Sequence, residues 1–247
     1  MISKQIGFNQ RIKKEWIEYA INLLLAGNSE DVIRKELIKY LSDKLSVVKN
    51  SDRGNRQKTI SIISRMWLRP IPELKEFRDE ALELYRKSDQ THRDAIIWAV
   101  AMITYPFFAI VAGQIGKLLG LQEKISTTQV LKRVYDSYAE TESISRAARR
   151  VLTSILDWQF LKETEKKGIY VKNSEIKISD ENIVIFMADA FLFSMSVTQI
   201  SMRDLLKNNV FFPFKLSSFD KNKYDQSHKE YKINVLNHGE VYFVKEK

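Results

Sequence analysis

Apolar residues recur at helical spacing through the first third of the chain. Four segments follow this pattern, and they cover residues 11–26, 30–45, 55–68 and 73–86. Gly27 is suited to end the first of them, and Pro70 follows the third, where proline would stop a helix. The hydrophobic pattern therefore predicts a helical N-terminal part.

A long uncharged run follows these segments. Residues 95–116 read AIIWAVAMITYPFFAIVAGQIG, without a charged side chain, and such a length satisfies the usual criterion for a transmembrane helix. Pro106 lies near the middle, however, where it would break a helix and disfavour helical backbone at Tyr105. Both flanks of the run are basic, so they indicate no orientation in a membrane. We interpret the run as two buried helices joined near Pro106, with a membrane span as the alternative.

Residues 126–178 follow the order of elements of a winged helix-turn-helix. Ser126 is a suitable N-cap for a first amphipathic helix, and a polar break at residues 140–142 separates it from a second. Residues 168–178 then change to a two-residue period and predict a small hairpin that turns at residues 172–174. Helix, turn, helix and hairpin together predict a DNA-binding unit of this type.

Basic side chains are placed in this unit where DNA contacts would be needed. The second helix carries three arginines at i, i+3 and i+4, namely Arg146, Arg149 and Arg150. The hairpin region adds three lysines, namely Lys166, Lys167 and Lys172. One arginine-bearing side of a helix suits the major groove, and lysines suit phosphates. A charged helix face that merely meets solvent is the alternative, because nearby glutamates dilute the charge.

A second basic stretch runs from Lys44 to Arg69, and Asp52 is its only acid. Its candidate phosphate contacts are Arg53, Arg56 and Lys58. Solvation of a loop and two helix ends explains these charges slightly better. Trp67 could stack on a base, but a tryptophan in a helical apolar pattern usually belongs to the core.

The C-terminal part predicts two more helices and a hairpin. The helices cover about 180–193 and 196–208, and the following phenylalanines, from Phe211 to Phe214, are suited to anchor a loop. Residues 231–236 and 240–244 predict strands around an Asn-His-Gly turn. A helix before these strands suggests a second, degenerate winged unit, although no internal repeat is visible in the sequence.

The pattern divides the chain into three parts. Residues 1–122 are expected to form a helical domain with buried central helices, and residues 123–195 the winged helix-turn-helix domain. Residues 196–247 would add a C-terminal helix and hairpin. The predicted fold class is therefore mainly α, with a winged unit and a short C-terminal β-hairpin.

Composition restricts the partners and the chemistry. The formal net charge of +9 fits an anionic partner, either nucleic acid or an anionic membrane surface. The absence of cysteine excludes disulfides, thiol catalysis and cysteine zinc sites. Residues 1–10 lack the apolar core of a signal peptide, and we therefore expect a cytoplasmic location.

No enzyme signature stands out. The three histidines have no ligand spacing, and no phosphate-binding glycine loop or serine elbow occurs. Glu175 and Lys177 would project to one side of a strand, as in metal-dependent nucleases, but the required aspartate is missing because Asp157 is predicted on a helix. Alternating charge on a hairpin explains these residues more simply. We expect no catalytic residue, no metal and no cofactor.

Four segments resemble the BrxA family of bacterial BREX phage-defence systems. They are LLLAG at residues 23–27, RGNRQKTISIISRM at 53–66, YPFF at 105–108 and SRAARRVLTSILDWQFL at 145–161. The resemblance covers the chain to about residue 215 and implies a non-enzymatic DNA-binding component with helix-turn-helix units. It also implies other defence-system proteins as partners. The family fold has been likened to RNA-binding antitermination factors, which keeps RNA open as a ligand.

The sequence thus favours binding of double-stranded DNA without catalysis. A protein-interaction scaffold, an RNA-binding protein and a membrane-associated protein are the alternatives. Sequence preference and oligomeric state cannot be inferred from these patterns.

Overall fold

The computed structural model describes residues 6–45, 54–224, 231–235 and 240–245. These ranges are mainly helical. The helices are α1 Lys14–Leu25, α2 Glu30–Tyr40, α3 Asn55–Ile63, α4 Lys75–Lys87, α5 Gln90–Thr104, α6 Pro106–Leu119, α7 Thr127–Tyr135, α8 Glu142–Asp157, α9 Glu181–Met195 and α10 Met202–Leu206. The strands are β1 Lys124–Ser126, β2 Leu161–Glu163, β3 Ile169–Lys172, β4 Ile176–Ile178, β5 Gln199–Ser201, β6 Phe214–Leu216, β7 Tyr231–Val235 and β8 Val241–Lys245.

The four N-terminal amphipathic segments form α1 to α4, as the hydrophobic pattern predicts. Each turns its apolar side inward, for example through Ile17 in α1 and Leu37 in α2, both fully buried. A π-helical turn at Ser64–Leu68 extends α3 to the predicted end. Trp67 lies in that turn with no exposed surface, which confirms that it belongs to the core.

The uncharged run forms two helices, α5 and α6, which confirms the interpretation of a broken pair. The chain bends by 119° between them at Tyr105, because Pro106 occupies the first position of α6 and cannot continue α5. In the part of the chain that the structure describes, no single helix is both long and apolar enough to cross a membrane. Only the bent pair together meets that test.

Trp98 of α5 lies at the centre of the core. Its fully buried ring makes edge-to-face contacts with five aromatic rings, namely Phe108, Trp158, Phe160, Phe212 and Phe214. These partners come from α6, from the segment after α8 and from the C-terminal part. The apolar core is therefore continuous from the N-terminal helices into the central and C-terminal elements.

The central elements form a three-stranded antiparallel sheet next to α7 and α8. Its strand order is β1-β3-β2, with Ile125 opposite Tyr170 and Lys162 opposite Val171. The hairpin consists of β2 and β3, so the prediction of a hairpin at residues 168–178 was wrong. The sequence misled because β2 has only three residues, two of them polar and exposed.

The strand predicted as the second arm of that hairpin has a different partner. β4 pairs in parallel with β6, and Ile176 lies opposite Phe214. This pairing buries Ile178 and Phe214 in the core. A strand nearly forty residues away satisfies β4, and alternation alone cannot identify such a partner.

The prediction of a helix over residues 196–208 was also wrong. Ser196 ends α9 in a left-handed conformation with φ 46°, and the chain then enters β5 before the short α10. β7 and β8 form the predicted C-terminal hairpin, with Ile233 opposite Phe243. The predicted turn at residues 237–239 lies outside the described residues.

The second half repeats the arrangement of the first, which sequence inspection missed. β5, β8 and β7 form a sheet in the order β5-β8-β7, the counterpart of β1-β3-β2. Ser126 ends β1 and accepts a hydrogen bond from Gln129 N at 3.2 Å, while Ser201 ends β5 and accepts one from Asp204 N at 3.0 Å. The two units differ after their capped helix. A 3-10 turn at Asn209–Phe211, packed against α6, follows α10 in place of a helix like α8.

Candidate nucleic-acid interface

α8 has one buried side and one charged side. Its N-cap is Thr141, whose hydroxyl accepts a hydrogen bond from Ile144 N at 3.4 Å. The buried side comprises Ile144, Ala147, Ala148, Val151, Leu152 and Ile155. The exposed side carries Arg146, Arg149 and Arg150. The structure thus brings the three predicted arginines together on the solvent-facing side of one helix.

The three arginines differ in their pairing. Arg146 Nη2 lies 3.3 Å from Glu142 Oε2, one helical turn away, and both side chains are exposed. Such a pair contributes little to stability and can exchange for another anion. Within the described ranges, the guanidinium groups of Arg149 and Arg150 have no hydrogen-bond or ion-pair partner. Two arginines of this face are therefore free to donate to a ligand.

α7 holds α8 in place. A capping box starts α7, since Gln129 Oε1 also accepts a hydrogen bond from Ser126 N at 2.8 Å. The buried side chains of Val130, Leu131 and Val134 face the core. Because one side of α8 packs on this support, its arginines cannot turn inward.

The β2–β3 hairpin presents two lysines at its tip. Lys166 and Lys167 are exposed in the turn between the strands. Glu163 holds this turn, because its Oε1 accepts a hydrogen bond from Gly168 N at 2.7 Å. Gly168 has φ 79°, a conformation that suits glycine. The two ammonium groups therefore project from an ordered turn.

Lys172 does not lie at the tip, which corrects the prediction. It ends β3 opposite Leu161, at the base of the hairpin. Its Nζ donates to Glu175 Oε2 at 2.9 Å, and this hydrogen bond lowers the pKa of the Glu175 carboxyl. The error follows from the misplaced hairpin.

The N-terminal segment fastens the end of α8. Ile12 N donates to Ser154 Oγ at 2.8 Å, and Ile12 O accepts a hydrogen bond from Trp158 Nε1 at 2.9 Å. The Arg11 guanidinium binds both carboxylate oxygens of Asp157, which raises the pKa of Arg11. About 140 residues separate the partners in sequence, so no local pattern indicated this attachment.

Substitution of Trp158 by phenylalanine is expected to lower the free energy of unfolding. The change leaves the Ile12 carbonyl without its donor, and an unsatisfied buried group costs about 1–3 kcal/mol. Urea denaturation measures the loss. Trp98→Phe is the matched control, because the buried Trp98 Nε1 has no acceptor in the described residues. Equal losses in the two variants would show that the bond to Ile12 contributes nothing.

The second basic stretch is only partly available to a ligand. Arg53 lies outside the described residues. Arg56 Nη2 donates to Ser42 O at 2.9 Å and to Leu45 O at 3.3 Å, so this arginine ties the end of α2 to α3. Lys58 is exposed on α3. Arg69 pairs with Glu30. Of the three predicted contacts, Lys58 is the one that the structure describes as exposed.

The residues considered for nuclease chemistry have other partners. Glu175 binds Lys172, and Asp157 binds Arg11. Across residues 6–45, 54–224, 231–235 and 240–245, no three histidine, aspartate or glutamate side chains are grouped to hold a metal ion. These carboxylates act as ion-pair partners in the structure.

Comparison with known proteins identifies no relative. The chain matches no family model, no curated protein and no solved structure. The functional argument therefore depends on the exposed cations of α8 and of the hairpin tip.

Proposed function

We propose that β1, α7, α8, β2 and β3 form a winged helix-turn-helix that binds double-stranded DNA. The observation that carries the proposal is the division of α8 into a buried apolar side and an exposed side with Arg146, Arg149 and Arg150. A recognition helix needs this division, because one side must pack on its own domain while the other enters the major groove. α8 is the recognition helix of the proposed unit.

The order of elements supports the assignment. A strand precedes α7, a hairpin follows α8, and β1 pairs with the second strand of the hairpin. In the proposed unit the β2–β3 hairpin is the wing. Arg149 and Arg150 donate to base edges or phosphates of the groove, while Lys166 and Lys167 bind phosphates beside it. The overall charge of +9 attracts the duplex.

The second unit serves the structure in this proposal. It is a degenerate winged unit, because the turn at Asn209–Phe211 takes the position of a recognition helix and packs on α6. Val210 and Phe211 are buried there, so this part offers no charged helix to a groove. DNA binding is accordingly assigned to the first unit alone.

The proposed biological setting follows from the sequence resemblance. As a BrxA-like component, the protein would act without catalysis in a phage-defence system and would join other proteins of that system. RNA is the competing ligand, since a double-stranded RNA offers the same phosphate charge in a different groove geometry.

Fluorescence anisotropy with a short labelled DNA duplex across a salt series tests the proposal. The logarithm of the affinity is expected to fall linearly with the logarithm of the salt concentration, by about 0.9 for each phosphate contacted. The variant Lys166→Gln/Lys167→Gln should reduce the slope by about two, since each lysine contacts one phosphate. A slope unaffected by these changes would contradict the role of the wing. Stronger competition by duplex RNA than by unlabelled DNA would assign the surface to RNA, and no salt-dependent binding of either would favour a protein scaffold.

A further inference from the structure

A cleft of about 360 Å³ lies beside the recognition helix, between the N-terminal segment, the turn after α2 and the start of α3. Its lining includes Arg11, Lys13, Trp16, Lys44, Asn55 and Arg150. Four of the eight lining residues are cations and none is a carboxylate. Arg150 also belongs to the exposed side of α8, so the cleft is continuous with the proposed DNA-binding face.

The positive charge in the cleft is weakly compensated. Lys13 Nζ lies 3.6 Å from Glu15 Oε1, but both side chains are about half exposed and such pairs bind weakly. Lys44 Nζ lies 3.4 Å from the centre of the Tyr40 ring and has no carboxylate partner in the described ranges. The charge of Arg150 is likewise unpaired there. An anion entering the cleft would meet these three cations.

Hydrogen-bond donors accompany the cations. α3 begins at Asn55 after the N-cap Gly54, which has no side chain to satisfy the first amides of the helix. Trp16 is 3% exposed, and its Nε1–H has no acceptor in the part of the chain that the structure describes. A buried donor without a partner is rare in folded proteins. A ligand with several acceptor oxygens would supply what the lining lacks.

We infer that this cleft binds a phosphate group from the backbone of the same duplex whose major groove receives α8. The inference rests on the proposed function, because Arg150 joins the two surfaces. A phosphodiester combines negative charge with acceptor oxygens, which matches cations, helix amides and an indole donor together. The footprint of the protein on DNA then extends from the wing, across α8, to the N-terminal segment.

The variant Lys13→Gln/Lys44→Gln tests the inference by the anisotropy salt series with labelled duplexes of different sequence. Affinity should fall equally for all of them, and the salt slope should decrease by about two, because two phosphate contacts are lost. The matched control is Lys35→Gln/Lys39→Gln, which removes the same charge from exposed positions of α2 outside the cleft lining. Circular dichroism and the melting temperature check that all variants keep the fold.

The outcomes separate this inference from the proposed function. If the cleft variant and its control behave alike while substitution of Arg146 and Arg149 abolishes binding, the cleft is not a contact but the DNA-binding face stands. If wild-type protein shows no salt-dependent duplex binding, both fail. A melting temperature that inorganic phosphate raises in the wild type but not in the cleft variant, with unchanged duplex binding, would assign the cleft to a free phosphate and overturn the backbone assignment.

Discussion

The variant Arg146→Glu/Arg149→Glu is expected to bind a DNA duplex about 100-fold more weakly than the wild type. Each arginine contact with DNA is worth about 1–3 kcal/mol, and a glutamate in its place also repels the phosphates. Both positions are exposed, so the fold should tolerate the change. The glutamate that replaces Arg146 would lie one turn from Glu142, which costs only about 0.2–0.5 kcal/mol. Anisotropy gives the affinity, and urea denaturation gives the stability.

Charge reversal elsewhere provides the control. Arg86→Glu/Lys87→Glu changes the net charge by the same amount at the end of α4, where both residues are exposed beside Glu83. This control should weaken binding only slightly, through the long-range field. If both double variants lost affinity equally, net charge rather than α8 would govern binding, and the recognition-helix assignment would be wrong.

The variant Gly116→Ala is expected to reduce the free energy of unfolding by about 1–3 kcal/mol or more, the usual range for overpacking a tight core. A Cβ at this position would overlap the Asn209 carbonyl and lie 2.8 Å from Phe212 Cβ. Gly116 belongs to α6, and both neighbours belong to the segment that replaces a recognition helix in the second unit. The close approach of backbone to helix therefore requires glycine. Urea denaturation measures the change.

Gly113→Ala on the same helix is the matched control. A Cβ there would meet no atom within 4 Å. Alanine favours a helix over glycine by about 0.5–1 kcal/mol, so this variant should be more stable than the wild type. A Gly116→Ala variant as stable as the wild type would show that the second unit does not depend on close packing against α6.

The features that the sequence predicted correctly were encoded locally. The spacing of the arginines on α8 indicated one exposed side because the intervening residues, such as Ala148 and Val151, are apolar at helical spacing. The break at Pro106 was predictable because proline acts on its own backbone. The capping serine of α7 was identified for the same reason, since its partner Gln129 is three residues away.

The features that were missed depend on distant partners. β4 resembles any short alternating strand, and only the fold reveals its parallel partner β6. Residues 199–201 were included in a predicted helix, although they pair with β8. The attachment of Ile12 to Ser154 and Trp158 joins residues that are remote in sequence. Non-local pairing of this kind leaves no period in the sequence, so tertiary structure decided these elements.

The repeated arrangement gives the two units different tasks within the account. In the first, a long helix presents arginines to solvent, while in the second a short turn buries Val210 and Phe211. The core around Trp98 connects both units to α5. The second unit thereby supports the surface that the first exposes.

Tethered cleavage of DNA tests the central claim most directly. The chain has no cysteine, so a single introduced cysteine can carry an iron–EDTA reagent at a chosen site. Suitable exposed positions are Ser143→Cys on α8, Glu165→Cys at the hairpin tip and Glu76→Cys on α4. The account predicts cleavage of an end-labelled duplex from the α8 and hairpin positions, and only background cleavage from α4. Cleavage from α4 together with none from α8 would contradict the assignment of α8 as the recognition helix.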